Sequence, residues 1–143
     1  MQNDKQKALE LYTTAVNISP GYAAALHNKS RIEFNLNKSR EAHADFNRAI
    51  ELDPKYTQAY CGRGMLMFSL KEYDHALADF NIALSLDSLN TEAHNGRGCV
   101  YSMRGNVEEA IREFENAVRC NPTNQEARSN LKNETLKRTG QTL

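Results

Sequence analysis

The sequence predicts an all-α solenoid: antiparallel helix hairpins stacked side by side in one domain. Three observations carry that reading. The first is a 34-residue period, since prolines stand at 20, 54 and 122, separated by 34 and then 68 residues, with Ser88 in the skipped slot. The second is a small–aromatic–small column in the same phase: Ala8, Tyr12, Ala15; Ala42, Phe46, Ala49; Ala76, Phe80, Ala83; Ala110, Phe114, Ala117. Spacings of four and three put each trio on one helix face. The third is Asp53, Asp87 and Asn121 just before the proline slot, where a helix is expected to stop because a residue preceding proline avoids helical angles.

The elements follow in order. A helix over 4–18 carries Ala8, Tyr12 and Ala15 and reads as the second helix of a hairpin, so 1–22 is a half repeat. Segments 23–56, 57–90 and 91–124 are full repeats, with helices over 23–36 and 39–52, 57–70 and 73–86, and 91–104 and 107–120. Ser30, Gly64 and Gly98 are the small residues on the first helix of each, letting two backbones approach while the aromatic ring fills the gap. One hairpin cannot bury its own apolar face, so neighbours must stack.

The helix over 125–138 opens with Gln125-Glu126-Ala127, as a new repeat would, and continues polar through Asn130-Leu131-Lys132-Asn133-Glu134. It reads as a capping helix, which keeps a solenoid soluble, with Gly140 and the remaining tail frayed. At the other end Met1 falls inside a repeat, leaving the outer face of the first helix uncovered. A longer chain supplying further repeats is the favoured explanation. The competing one is a second molecule, so the expected state is a monomer or an association through the uncapped N-terminal end.

These columns resemble the tetratricopeptide repeat family over essentially the whole chain. The resemblance implies a right-handed superhelical solenoid that binds other proteins. Related helical repeats of 34 or 35 residues that bind RNA usually lack this alanine–aromatic–alanine–proline combination.

Lys29, Arg63 and Arg97 occupy a first-helix slot that is leucine-like in the family, and Asp45, Asp79 and Glu113 form a matching column on the second helices. In an antiparallel hairpin turning near residue 37, residues 29 and 45 lie level, as do 63 with 79 and 97 with 113. Three ion pairs within repeats are expected, as register devices rather than a ligand site. Glu33 stands where an aromatic is usual and His94 where a large apolar residue is usual, so looser packing is expected in the first and last full repeats.

The resemblance implies that the first helices line a concave groove. By phase its candidates are His27, Asn28 and Arg31 with Ala24; Gln58, Cys61 and Met65 with Gly62; Glu92, Asn95 and Cys99 with Gly96; and Ser129 and Asn130 with Glu126 and Asn133. The asparagines could bond the backbone of an extended peptide, Met65 adapts to varied partners, and Gly62 and Gly96 are expected to admit a close backbone approach. Alternatively, the face is simply solvated. The basic clamp with which some relatives hold acidic chaperone tails is absent, because Gly62 and Gly96 fill its asparagine and arginine slots and Glu92 a lysine slot. An asparagine ladder, as in a sugar transferase's repeats, is broken by the same glycines.

Other function classes lack support. Lys+Arg and Asp+Glu are both 18 in 143 residues, so no net basic footprint points to nucleic acid or an anionic membrane. No apolar run is long enough to span a bilayer. Cys61, Cys99 and Cys120 lack the spacing of a disulfide framework or a zinc site. With no signal-peptide core behind Met1-Gln2-Asn3-Asp4-Lys5, the cytoplasm is the expected compartment. His27, His43, His75 and His94 fall in different phases, and no nucleophile elbow, phosphate loop or dinucleotide motif is present. No cofactor, metal or enzymatic activity is therefore expected. The leading expectation is a protein-interaction module taking a partner peptide or helix in the groove. The alternative is a structural spacer within a longer repeat protein, working through its ends and convex face.

Overall fold

The computed structural model describes residues 2–18 and 21–140. Among them are eight helices and no strand: α1 (Gln2–Ile18), α2 (Ala23–Asn35), α3 (Ser39–Leu52), α4 (Thr57–Ser69), α5 (Tyr73–Leu86), α6 (Thr91–Met103), α7 (Val107–Cys120) and α8 (Gln125–Arg138). Every expected helix is present within two residues at each end. Pro20, the first of the prolines that mark the period, and the tail after Gly140, expected to be frayed, lie outside the described residues.

Two kinds of turn recur with the period. Within each full repeat the first helix is followed two residues on by a residue with positive φ: Asn37 at 61°, Lys71 at 62° and Gly105 at 78°. In all three, two backbone N–H groups fold back onto the last helical carbonyls, as in Lys71 N to Phe68 O at 3.0 Å and Glu72 N to Met67 O at 2.9 Å. This is the Schellman stop, which satisfies orphan carbonyls and favours Gly or Asn in the left-handed slot. Lys71 occupies that slot against its steric preference.

Each second helix ends at Asp53, Asp87 or Asn121, where the backbone turns extended. A side-chain oxygen there accepts the N–H two residues on: Lys55 at 3.1 Å, Leu89 at 3.2 Å and Thr123 at 3.3 Å. Side-chain capture of this kind competes with helix continuation. It explains why α5 stops in register although Ser88 replaces proline.

The alanine–phenylalanine–alanine trios of α3, α5 and α7 are all at most 2% exposed and form the spine of the core. The small-residue slots are matched to the rings. A methyl group on Gly64 would sit 2.7 Å from the Phe80 ring, and one on Gly98 2.6 Å from the Phe114 ring. Gly62 and Gly96 do the same for the ring of the preceding repeat, at 2.4 Å from Phe46 and from Phe80. Phe80 is thus clasped between Gly64 of its own hairpin and Gly96 of the next, fixing both hairpin and inter-repeat spacing.

The three ion pairs form as expected. Lys29 Nζ lies 2.9 Å from Asp45 Oδ2, and Arg97 Nη2 2.6 Å from Glu113 Oε1. Arg63 donates two bonds to Asp79, at 2.9 and 2.7 Å. Each arginine also reaches back to the preceding repeat: Arg63 Nη1 to Asn47 Oδ1 at 2.8 Å, and Arg97 Nη1 to Asn81 Oδ1 at 3.1 Å. The asparagines share one 34-residue column, a regularity the pairing of charges alone did not reveal.

His94 is locked in this layer, with Nδ1 2.9 Å from Glu113 Oε2 and Nε2 2.9 Å from the Ser88 carbonyl. Glu33 is buried beside Asp45. Burial first, and then the neighbouring Asp45 carboxylate, push its carboxyl up to about 8. The last full repeat is therefore tied by a polar network at the position expected to loosen it, and the first buries a carboxyl group.

Candidate functional site

The first helices converge on one groove. Besides its contacts within its own hairpin, α2 touches α4, and α4 touches α6. A cavity of about 500 Å³ runs across all four first helices, lined by His27, Arg31, Phe34 and Asn35 from α2, Gln58, Gly62 and Met65 from α4, Glu92 and Asn95 from α6, and Glu126 from α8, with Phe46 of α3 at its floor. A second cavity of about 410 Å³ continues between α6 and α8, with Phe68, Met103, Phe114 and Leu136 as apolar wall and Cys99, Asn130, Asn133, Glu134 and Lys137 among its polar lining.

Of the residues singled out by phase, the first cavity brings together His27, Arg31, Gln58, Met65, Glu92 and Asn95. Cys99 and Asn130 line the second. Asn28 is half-buried and Ser129 exposed, and neither lines either cavity.

Cys61 is a correction. It is wholly buried, and its thiol donates to Asn90 Oδ1 at 3.4 Å. Burial, followed by Glu92 and Asp87, pushes the thiol up to about 12, so it is an inert core group. Its slot on the helix turns inward because α6 packs over it, an inter-repeat angle that phase along one helix does not contain. Gly62 and Gly96 are a second correction. The space beside them is filled by the Phe46 and Phe80 rings, so they admit the protein's own core rather than a ligand backbone.

The asparagines partly satisfy one another. Asn130 Nδ2 donates to Asn95 Oδ1 at 3.0 Å and lies 3.9 Å from Cys99 Sγ. That bond leaves the Asn95 amide donors and the Asn130 carbonyl oxygen uncommitted to each other. His27 is only 6% exposed, its ring set edge-on against Tyr56 with centroids 5.4 Å apart. Burial, with Arg31 adding, lowers its pKa to about 4, so the ring is neutral near pH 7. Its Nδ1 has no partner. Burial and then Glu126 push the Cys99 thiol up to about 11.

Phase along the first helices missed Phe34, Asn35 and Phe46 as lining residues. Phe46 comes from a second helix and reaches the groove through the gap left by Gly62. The signal was present as a glycine one repeat after a ring, in the slot that faces it.

No cluster of three or more histidine, cysteine or carboxylate side chains able to hold a metal occurs among the described residues. No helix among them is long and apolar enough to cross a membrane.

Two family models described as tetratricopeptide repeat match the chain, one over residues 27–91 and the other over 91–124. Among solved structures, the first such domain of Spaghetti (RPAP3), bound to the HSP90 peptide SRMEEVD, is 26% identical with a TM-score of 0.76, the match covering 82% of this chain and 93% of that one. The first such domain of the human RPAP3 protein is also 26% identical, with a TM-score of 0.79 and coverage of 85% and 96%. MamA, at 20% identity, TM-score 0.78 and coverage of 96% and 80%, shares the fold. No curated protein matches the sequence. Domains of this kind are protein-interaction modules, and one of these neighbours holds a peptide. With models of this one description together matching residues 27–124, the chain belongs to the tetratricopeptide repeat family.

Proposed function

We propose that this protein binds another protein by taking an extended segment of it into the groove of the first helices, without catalysing a reaction. The observation that carries this is the cavity of about 500 Å³ to which all four first helices contribute. It offers the half-buried Phe34 and Met65 as apolar surface beside amide groups of Gln58 and Asn95, a mixture suited to anchoring side chains while bonding a peptide backbone. The HSP90 peptide held by the Spaghetti domain supports a peptide as the class of occupant. The three free thiols support a reducing compartment, and we place the protein in the cytoplasm.

The spacer reading has its own support. On α1, Leu11 is 72% and Ile18 79% exposed. A cleft of about 730 Å³ on the other side, between α3 and α5, includes Met67, Leu70 and Ile82. A photo-crosslinking amino acid at Met65, in the groove, and another at Ala78, in that cleft, separate the two readings in cell lysate. A partner crosslinked from position 65 and competed off by excess unlabelled wild type is the expected result. Crosslinking from position 78 alone would refute groove binding and favour the spacer.

A further inference from the structure

We propose that the groove selects partner segments bearing a lysine or arginine side chain, seated against Glu92 and Glu126. This rests on the groove reading and adds the partner's chemistry to it.

Glu92 and Glu126 occupy the second position of α6 and α8, one repeat apart, and line the same cavity. Neither makes an ion pair among the described residues, although the carboxylates at the hairpin seams, Asp45, Asp79 and Glu113, are all paired. Their location in the first turn of a helix favours a negative charge there. The equivalent positions in α2 and α4 hold Ala24 and Gln58, however, so helix capping does not demand an acid in this column. The field of these carboxylates acts on nearby groups: after burial, Glu126 is the next cause raising the Cys99 thiol in the second cavity, and Glu92 the next raising the buried Cys61 thiol.

A second observation at the other end of the cavity points to an occupant. His27 is buried, its ring lines the cavity, and its Nδ1 lacks a partner within the chain. Buried polar atoms without partners are uncommon in folded proteins. That nitrogen is itself shielded from solvent, so an occupant bonds this neutral imidazole only by turning the ring toward the cavity. Arg31, the one cation lining this cavity, belongs to that same end, so the charge along the groove is polarised and the cationic side chain belongs at the α6–α8 end. An acidic segment placed there would meet two unpaired carboxylates.

A phage-displayed random heptapeptide library, panned on the full chain, tests this. The panels are wild type, Glu92→Gln/Glu126→Gln and Met65→Arg, each confirmed helical by circular dichroism. Wild type should enrich peptides with lysine or arginine at one position. Those peptides should weaken about tenfold on Glu92→Gln/Glu126→Gln, the order expected for two rim ion pairs, and weaken with added salt. Enriched peptides that Met65→Arg abolishes but that carry no basic preference would overturn the charge inference and leave groove binding standing. No enriched peptide, or peptides indifferent to Met65→Arg, would remove groove binding and this inference with it.

Discussion

Replacing Arg63 with methionine should destabilise the fold by about 2–4 kcal/mol while leaving it helical. The substitution keeps the alkyl stem and removes the guanidinium. Asp79 then loses two charge-assisted bonds, at 2.9 and 2.7 Å, and Asn47 loses one at 2.8 Å. Asp79's side chain is 7% exposed, so water cannot fully replace what is lost. Breaking a fully buried pair from one side costs about 3–5 kcal/mol. The 23% exposure of Arg63's side chain lowers that estimate.

The double replacement Arg63→Met/Asp79→Leu removes both charges together and should lie within about 1 kcal/mol of wild type, because apolar pairs can substitute for buried ion pairs. The cap shows the alternative in the chain itself: Leu131 fills the column of Lys29, Arg63 and Arg97. Urea denaturation followed by circular dichroism, run as a double-mutant cycle, gives the coupling directly. As a reference, Asp74→Ala breaks the exposed pair with Arg104 and should cost less than about 1 kcal/mol. The reasoning is refuted if Arg63→Met proves as mild as Asp74→Ala, or if the double variant loses as much as the single.

Three further outcomes are expected. Gly96→Ala would place a methyl group 2.4 Å from the Phe80 ring; overpacking of about 1–3 kcal/mol should exceed the roughly 1 kcal/mol gained from helix propensity, so its urea midpoint should fall. Lys71→Gly relieves a left-handed residue at φ 62° and should raise stability by about 1 kcal/mol, read as a higher melting temperature. Glu33 has a folded-state pKa near 8, above its ordinary 4.5, so its folded form holds the proton more tightly than its unfolded form. Its contribution is complete below pH 4.5 and is lost as pH rises through about 8. Glu33→Gln should flatten that decline and stabilise the protein at pH 8.5 relative to wild type, measured by urea titration across pH.

The sequence by itself determined what repeats along one chain. Helix bounds, the ring column and the level pairing of 29 with 45, 63 with 79 and 97 with 113 follow from a 34-residue phase and an antiparallel turn. These are contacts within a helix or a single hairpin, where sequence separation translates directly into position. The tertiary structure decided what lies between repeats. Cys61 shares a groove-facing phase with His27 and Asn95, yet α6 covers it. Gly62 and Gly96 belong to the rings of the preceding repeats rather than to a ligand. Asn47 and Asn81 complete arginine sites in the following hairpin, Asn95 and Asn130 bond across neighbouring first helices, and the buried Phe46 ring of a second helix underlies the groove. The physical reason is that the rotation and spacing between hairpins arise from how rings seat in glycine gaps across repeats.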